Sequence, residues 1–270
     1  MALYLIGLGL GDESDITVKG LNAIKNCDYI YLESYTSVLG VQKQRLEELY
    51  GKVVLEADRE KVESEVDEMI DLAKSHKVAF LVVGDPFGAT THSDLVLRAK
   101  EKNVQVEVIH NSSILNAVGV TGLQLYTFGQ TVSIVFWTET WKPTSFYHKV
   151  KQNRDIGLHT LCLLDIKVKE QSELNLLRGK KIYEPPRFMT INTCIAQMLE
   201  AEDVHKEKVY SKETPCFGVA RIGQKDQLIV SGTMEELLNV DFGGPLHSFI
   251  ICGQMHPMEL EFYKLYNCKK

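Results

Sequence analysis

Three glycines and three acids near the start of the chain could form a ligand-binding loop. These residues are Gly7, Gly9, Gly11, Asp12, Glu13 and Asp15. They follow the apolar run LYLI, which is typical of a buried strand. Glycine lets the backbone come close to a ligand, and a strand that ends in a glycine-rich turn is typical of nucleotide-binding proteins. We call residues 7–12 the glycine loop and expect it to bind a ligand.

The acids decide which ligand the glycine loop suits. A pyrophosphate beside them would be repelled by about 1 to 4 kcal/mol per nearby carboxylate in a partly hydrated site. No lysine or arginine precedes Lys19 to offset this repulsion. The loop therefore favours a neutral or cationic ligand. S-adenosylmethionine, which carries an adenosine and a positive sulfonium but no phosphate, is such a ligand.

An NAD-binding Rossmann fold is the alternative. Glu33 ends the second predicted strand, where a ribose-binding acid would lie. However, the glycine spacing is GxGxG, whereas the dinucleotide fingerprint is GxGxxG, and the next helix does not begin at the glycines. Both departures favour S-adenosylmethionine, and NAD stays open as the second choice.

Two further loops follow predicted strands. GDPFGATTH, residues 84–92, comes after VAFLVV, and HNSSI, residues 110–114, comes after VQVEVI. Loops of this kind emerge at the carboxyl edge of a parallel sheet, where ligands bind. Ser112 or Ser113 is predicted to cap the helix ILNAVGVTGL. Each loop alone is compatible with an ordinary turn, but the three together predict a binding edge.

The elements that carry these loops alternate between strand and helix over the first 110 residues. VAFLVV has no polar face, which is typical of a strand in the middle of a parallel sheet. REKVESEVDEMIDLAKS places apolar residues at 3-and-4 spacing, which predicts a helix. This series predicts a first α/β domain over residues 1–112, built on a parallel sheet.

The second half of the chain has a different pattern. TVSIVFW, HTLCLLDI and SFIICG are predicted strands, and TINTCIAQMLEAE and PMELEFYKLY are predicted helices. CFGVARIG and QLIVSG are separated by QKD, which predicts an antiparallel hairpin. The sequence therefore predicts a second α/β domain over residues 113–270 with a mixed sheet.

Composition excludes several function classes. The chain has 270 residues, and 44% of them are apolar, which is typical of a globular protein. Its formal net charge of −6 argues against broad nucleic-acid binding. No run approaches the roughly 18 apolar residues of a membrane span, and the first residues lack a signal-peptide pattern. The six scattered cysteines form no CxxC pair and predict reduced thiols. We expect a cytoplasmic protein that binds no nucleic acid, membrane or metal.

Long stretches of the sequence resemble one family. They are LYLIGLGLGDESDITVKGL, YLESYTSVL, GDPFGATTHSDL, VIHNSSILNAVG, QTVSIVFWTETWKP, HTLCLLDIKVKEQS, KIYEPPRFM and PLHSFIICG, and they run over nearly the whole chain. In them the sequence resembles the eukaryotic diphthine synthases, a branch of the tetrapyrrole-methylase-like methyltransferases. Stretches of this length are far more specific than a glycine loop alone.

The resemblance implies a fold, a reaction and partners. It implies two α/β domains with S-adenosylmethionine in the interdomain cleft, S-adenosylhomocysteine as the product, and a homodimer. The implied protein substrate is translation elongation factor 2, whose target histidine already carries an aminocarboxypropyl group. Three methylations of the amine and one of the carboxylate would give diphthine methyl ester. A non-catalytic binding module that kept the fold is the alternative of a different class.

The resemblance also implies the residues that bind the cofactor. They are Leu10, Asp85, Gly88, Ser113, Ile114, Leu164, Val219 and His247. Read alone, Asp85 is compatible with an Asx turn before a proline, and His247 with a hydrogen-bonded structural histidine. No catalytic residue is assigned.

One basic stretch stands out in this acidic chain. RGKKIYEPPR, from Arg178 to Arg187, is either a solvated loop or a contact for the protein substrate and its carboxylate. We predict that Arg187 holds that carboxylate.

Overall fold

The computed structural model describes residues 1–34, 39–58, 66–170 and 183–269. It divides the chain into two compact units. The first unit contains Met1–Leu115, Lys167–Pro186 and Gly223–Lys225, and the second contains Asn116–Ile166, Arg187–Ile222 and Asp226–Lys270. The domain boundary between residues 112 and 113 stays a prediction.

The first unit is built on a parallel sheet of five strands in the order β3-β2-β4-β1-β5. The strands are β1 (Ala2–Gly7), β2 (Tyr29–Glu33), β3 (Leu55–Ala57), β4 (Lys77–Val82) and β5 (Val106–Ile109). The helices that go with them are α1 (Val18–Lys25), α2 (Lys43–Tyr50), α3 (Val66–Leu72) and α4 (Ser93–Glu101). The parallel α/β architecture predicted for the first half is confirmed.

Apolar residues cover both faces of this sheet. Leu5 of β1 lies in a buried cluster with Phe80, and its neighbour Ile6 lies in a second cluster with Ile24 of α1. Successive residues of a strand point to opposite faces, so an apolar run such as LYLI supplies both layers. Helix α2 ends where Gly51 takes a left-handed φ of +67°, a conformation that glycine adopts without strain.

The second unit is built on a mixed sheet in the order β11-β10-β12-β7-β6. Its strands are β6 (Val132–Ile134), β7 (Thr160–Leu164), β10 (Pro215–Ala220), β11 (Leu228–Thr233) and β12 (His247–Ile251). β6 and β7 pair in parallel and the other neighbours pair antiparallel, including the predicted β10–β11 hairpin. The short strands β8 (Ile166–Lys167) and β9 (Arg187–Phe188) form a two-stranded sheet. The predicted mixed sheet is confirmed.

The remaining helices are α5 (Ile114–Ala117), α6 (Ser145–Asp155), α7 (Ile191–His205), α8 (Met234–Leu237) and α9 (Pro257–Leu265). The sequence did not predict α6. Its buried face includes Asn153, whose side chain donates to the carbonyl oxygen of Gln130 over 2.8 Å and to the hydroxyl of Thr160 over 2.9 Å. A polar residue on the inner face interrupts the apolar periodicity on which the prediction depends.

The predicted helix ILNAVGVTGL is much shorter than expected. Only Ile114–Ala117 is α-helical, and Val118–Thr121 forms a 3-10 turn that ends at Gly122. Gly122 has a left-handed φ of +83°, and the ring of Phe262 fills the space where a side chain would begin. Gly122 therefore ends the 3-10 turn where Phe262 of α9 packs against it.

No helix in the four described ranges is long and apolar enough to cross a membrane. The six cysteines are free thiols; all are buried except Cys268, which is half-buried.

Candidate active site

The three loops that the sequence singled out emerge side by side. β1 lies between β4 and β5, so the segments after these strands share one carboxyl edge. The amide of Gly84 donates to the carbonyl oxygen of Gly9 over 2.7 Å, and the reverse hydrogen bond is 3.2 Å long. Their φ angles of +79° and +81° favour glycine at both positions. The predicted convergence of the loops is confirmed.

A carboxylate of the same chain occupies two amides of the glycine loop. Oδ2 of Asp15 accepts hydrogen bonds from the amide of Leu10 over 3.2 Å and from the amide of Gly11 over 2.8 Å. A pyrophosphate site needs backbone amides that point at the phosphate, and these two already point at a carboxylate. The loop therefore fits the neutral or cationic ligand that the sequence predicted.

The other two acids of this stretch are also held by protein groups. Hydrogen bonds from the hydroxyl and the amide of Ser14 lower the pKa of Asp12. Glu13 lies 2.5 Å from a terminal nitrogen of Arg45, and hydrogen bonds from its own amide and from Arg45 lower its pKa. The acids thus shape the loop and are poor proton acceptors at neutral pH.

Asn111 ties the loop after β5 to the glycine loop. Its Nδ2 donates to the carbonyl oxygens of Gly7 and Asp15, each over 3.0 Å. Its Oδ1 accepts a hydrogen bond from the amide of Ser112 over 2.8 Å. A Cβ at Gly7 would lie 2.8 Å from the Cβ of Asn111, so this close approach requires glycine. The side chain fixes the distance between two of the three loops.

Asp85 connects the loop after β4 to the loop after β5. Its Oδ1 accepts from the amide of Phe87 over 2.9 Å, which is the Asx turn considered from the sequence. Its Oδ2 accepts from the amide of Asn111 over 3.0 Å and lies 2.8 Å from Nδ1 of His110. Burial raises the pKa of Asp85, but these hydrogen bonds outweigh burial and hold the pKa below its usual value. The carboxylate is therefore ionised at neutral pH.

The ring of His110 stands at the same edge and is open to solvent. Its side chain is 68% exposed, whereas that of Asp85 is only 14% exposed. The ring of Phe87 lies beside it, with 6.1 Å between the two centroids. His92 at the same edge is buried instead, with Nδ1 3.1 Å from the carbonyl oxygen of Pro86. His110 thus presents an accessible imidazole beside a predicted cofactor contact.

Gly88 and Ser113 pack directly against each other. The hydroxyl of Ser113 fills the space that a Cβ at Gly88 would need, so glycine is required there. The same hydroxyl accepts from the amide of Leu115 over 3.2 Å, which makes Ser113, rather than Ser112, the cap of α5. Ile114 is the first residue of α5 and is half-buried. The first unit gathers Leu10, Asp85, Gly88, Ser113 and Ile114 at one sheet edge.

The second unit gathers the other three predicted cofactor contacts. Leu164 ends β7, Val219 lies near the end of β10, and His247 begins β12. β12 lies between β10 and β7, and its residue Ser248 pairs with both Val219 and Leu163. The three residues therefore lie at one end of three neighbouring strands.

Backbone groups hold both ring nitrogens of His247. Nε2 lies 3.0 Å from the carbonyl oxygen of Gly244 and 3.2 Å from that of Gly243. Nδ1 accepts from the amide of Ile191 over 3.4 Å. Burial lowers the pKa of His247, so the ring is neutral at neutral pH. These bonds give it a structural role, and its contact with the cofactor stays a prediction.

The chain matches the family model described as tetrapyrrole (corrin/porphyrin) methylases over residues 2–238. The chain belongs to this family. It is similar to diphthine methyl ester synthase from Dictyostelium discoideum, with 61% identity that covers 100% of both chains. It is 58% identical to diphthine methyl ester synthase from Homo sapiens, over 98% of this chain and 95% of that one. A crystal structure of diphthine synthase superposes with a TM-score of 0.84 at 34% identity, covering 99% of this chain and 96% of the other.

Membership of the tetrapyrrole methylases decides between the two ligands considered from the sequence. A methylase of this family uses S-adenosylmethionine as the methyl donor, so this chain is an S-adenosylmethionine-dependent methyltransferase. The acid-bound glycine loop is consistent with that ligand and not with NAD.

The sequence placed His110 and Asn111 of this tetrapyrrole methylase in a predicted binding loop but assigned neither of them a role, and it did not identify Arg221. His110 and Asn111 are the first two residues after β5, the strand beside β1. Their position as polar residues directly after a strand that pairs with β1 could have indicated that they belong to the site. Arg221 donates to Oδ2 of Asp226 over 2.7 Å and to the carbonyl oxygen of Phe242 over 2.8 Å. No local sequence pattern predicts these partners.

The basic stretch of this methylase is only partly described. Residues 178–182 lie outside the described residues. Arg187 is exposed at the start of β9, and its guanidinium carbon lies 5.6 Å from the centroid of the Phe136 ring. In the part of the chain that the structure describes, no group of three or more His, Cys, Asp or Glu side chains could hold a metal ion.

Proposed function

We propose that this methyltransferase forms diphthine methyl ester on translation elongation factor 2, a step in diphthamide biosynthesis. The observation that carries the proposal is the full-length similarity to diphthine methyl ester synthases, at 61% and 58% identity. The substrate is a histidine of elongation factor 2 that already carries an aminocarboxypropyl group. Its amine accepts three methyl groups and its carboxylate accepts one.

In S-adenosylmethionine the methyl group is bonded to a sulfonium, which is a good leaving group. S-adenosylhomocysteine is the product. The protein therefore has to align the acceptor with the methyl group and keep water out. In the first unit we assign the cofactor to Leu10, Asp85, Gly88, Ser113 and Ile114, and in the second to Leu164, Val219 and His247. Participation of both units is part of the proposal.

Two features of the first unit support this assignment. The carboxylate of Asp15 occupies the amides of Leu10 and Gly11, which suits a ligand without phosphate. Asp85 is ionised and uses one lone pair of Oδ1 on the amide of Phe87, so this oxygen can accept one more hydrogen bond. A ribose hydroxyl or the methionine ammonium would fit that position.

We assign the carboxylate of the aminocarboxypropyl group to Arg187. A guanidinium holds a carboxylate in two parallel hydrogen bonds, and this contact would fix the amine in line for the early methylations. The contact has to loosen when the carboxylate accepts the last methyl group.

The proposal includes a homodimer and a cytoplasmic location. The free thiols of all six cysteines support a reducing compartment.

Calorimetry and mass spectrometry test the function. We expect micromolar-range binding of S-adenosylhomocysteine and no tight binding of NAD. With labelled cofactor, methyl groups should appear on elongation factor 2 that carries the aminocarboxypropyl group and not on the unmodified factor. Binding of S-adenosylhomocysteine without methyl transfer to the proper substrate would favour the non-catalytic module instead.

A further inference from the structure

We propose that His110 is the general base of the amine methylations and that Asp85 orients it. The inference rests on the proposed function and deepens it, because it names the group that removes the proton from the amine.

The amine methylations need a base. An alkylammonium is mostly protonated at neutral pH, and only the neutral amine has a lone pair with which to attack a methyl group. The three acids that follow the glycines are poor candidates, because hydrogen bonds lower the pKa of Asp12 and of Glu13, and Asp15 is bound to two amides. A histidine is the side chain best suited to this task near pH 7.

The contact with Asp85 selects the tautomer of His110. An ionised carboxylate only accepts hydrogen bonds, so Nδ1 of His110, 2.8 Å from Oδ2, carries the hydrogen. Nε2 of a neutral ring then holds a free lone pair. When Nε2 takes up a proton, the carboxylate of Asp85 compensates the positive charge of the imidazolium.

Only one of the three histidines in the first unit meets the requirements. His76 comes directly before β4 and therefore lies at the amino edge of the sheet, away from the loops. His92 is 2% exposed and cannot reach a substrate. His110 lies at the carboxyl edge, is 68% exposed and is bound to Asp85, a predicted cofactor contact.

Each amine methylation begins with a proton transfer. Nε2 of His110 takes the proton from the substrate ammonium, which becomes a neutral amine. The nitrogen lone pair forms a bond to the methyl carbon, the bond from that carbon to sulfur breaks, and its electron pair stays on sulfur. The exposed ring of His110 then releases its proton to water, and the methylated ammonium is ready for the next cycle.

The three amine methylations each require the loss of one proton. The fourth methylation differs, because a carboxylate is already anionic and attacks with an oxygen lone pair. His110 is therefore required for three of the four steps, and the fourth step serves as an internal control.

The test compares two forms of elongation factor 2 with the full-length protein. One form carries the aminocarboxypropyl group; the other carries the trimethylated group, obtained by hydrolysing the ester that the wild-type protein makes. Single-turnover rates are followed by mass spectrometry. For His110→Ala we expect amine methylation to slow by about 10²- to 10⁴-fold. Ester formation on the trimethylated form and the Kd of S-adenosylhomocysteine should stay close to wild type.

Further measurements distinguish a general base from a structural residue. Free imidazole should restore part of the amine methylation rate of His110→Ala. His110→Gln can still donate to Asp85 but has no basic nitrogen, so it should be as slow as His110→Ala. The control His76→Ala should behave like wild type. In wild-type protein, ¹H–¹⁵N spectra should show the hydrogen of His110 on Nδ1.

The possible failures are distinguishable. If wild-type protein does not methylate the form of elongation factor 2 that carries the aminocarboxypropyl group, the proposed function is wrong. The role of His110 is wrong if wild-type protein is active and His110→Ala methylates the amine as fast as wild type. It is also wrong if His110→Ala slows amine methylation and ester formation by the same factor.

Discussion

Two histidine–carboxylate pairs in this protein have the same chemistry and opposite surroundings. In the first unit, the exposed ring of His110 uses one nitrogen on Asp85 and leaves the other open to solvent. In the second unit, His159 is 0% exposed, and both of its ring nitrogens contact protein groups. Its Nε2 lies 3.3 Å from Oε1 of Glu259, and its Nδ1 accepts from the amide of Gly253 over 2.9 Å.

The carboxylates differ in the same way. Glu259 also accepts from the amide of Gln124 over 2.8 Å and from the amide of His256 over 2.7 Å, and it forms the capping box of α9. Its pKa is lowered because these hydrogen bonds outweigh the opposing effect of burial. The difference teaches that a histidine bound to a carboxylate can accept a proton from a substrate only where one ring nitrogen remains accessible. The buried pair joins three segments of the second unit and stabilises the fold.

The largest expected effect is on stability. Glu259→Ala leaves the His159 ring and the amides of Gln124 and His256 without their acceptor, so the second unit should lose about 3 to 5 kcal/mol of unfolding free energy. Urea denaturation followed by circular dichroism measures this loss. Glu261→Ala, on the same helix at an exposed position, should leave the midpoint unchanged. Equal losses in the two variants would contradict the structural role of the His159–Glu259 pair.

The second effect is on cofactor affinity. Asp85→Ala removes the carboxylate that joins two loops, and a hydrogen bond to a charged group contributes about 1.5 to 3 kcal/mol. We expect S-adenosylhomocysteine to bind about ten- to a hundredfold more weakly while the protein stays folded. The control is Asp94→Ala, which removes an exposed carboxylate paired with Arg98 on α4. If Asp85→Ala binds like wild type in calorimetry, Asp85 only forms the turn.

The third effect is on the pH dependence of stability. Burial lowers the pKa of His159, so below the unfolded value near 6.5 the unfolded chain takes up a proton that the folded protein does not bind. Stability should therefore fall as the pH drops from 7 towards 5, by up to about 1.4 kcal/mol per pH unit for this residue. His92 and His247 contribute in the same direction.

Replacement of His159 tests this pH effect. His159→Gln should flatten the dependence of the unfolding free energy on pH, whatever its effect at pH 7. His148→Gln, at an exposed position of α6, is the matched control for loss of a histidine. Identical slopes for His159→Gln and wild type would contradict a neutral buried ring.

The smallest effect concerns the protein substrate. If Arg187 of the second unit holds the carboxylate of the substrate, Arg187→Ala should raise the KM for modified elongation factor 2 by up to about fivefold, the range of an exposed ion pair. The Kd of S-adenosylhomocysteine should not change. Lys142→Ala removes another cation over a ring, 5.5 Å from Trp137, and should leave both constants unchanged. An equal loss of cofactor affinity in Arg187→Ala would contradict its assignment to the substrate.

The sequence predicted the parts of the fold that depend on local pattern. Strands such as β4 and helices such as α7 and α9 follow from apolar runs, spacing and flanking residues. The convergence of three loops also followed, because parallel strands place their carboxyl ends at one edge. Helix α6 escaped prediction because Asn153 on its inner face finds partners in distant segments.

The site was predicted less completely than the fold. The loops were identified, but their internal connections join residues far apart in the chain. Asn111 reaches Gly7, and Asp85 reaches His110, and no local pattern shows which side chains a sheet brings together. The acids that follow the glycines indicated a ligand without phosphate. That Asp15 binds the loop amides became visible only in the structure.

The carboxylate of Asp15 has a consequence for competition in the cell. It is tethered four residues from the amide of Gly11, so its effective concentration at that amide is on the order of millimolar or higher. A free phosphate or nucleotide takes its place only where the product of its concentration and its affinity for these amides exceeds that of the tethered carboxylate. The loop is thus protected from the abundant phosphorylated metabolites by an anion that cannot diffuse away.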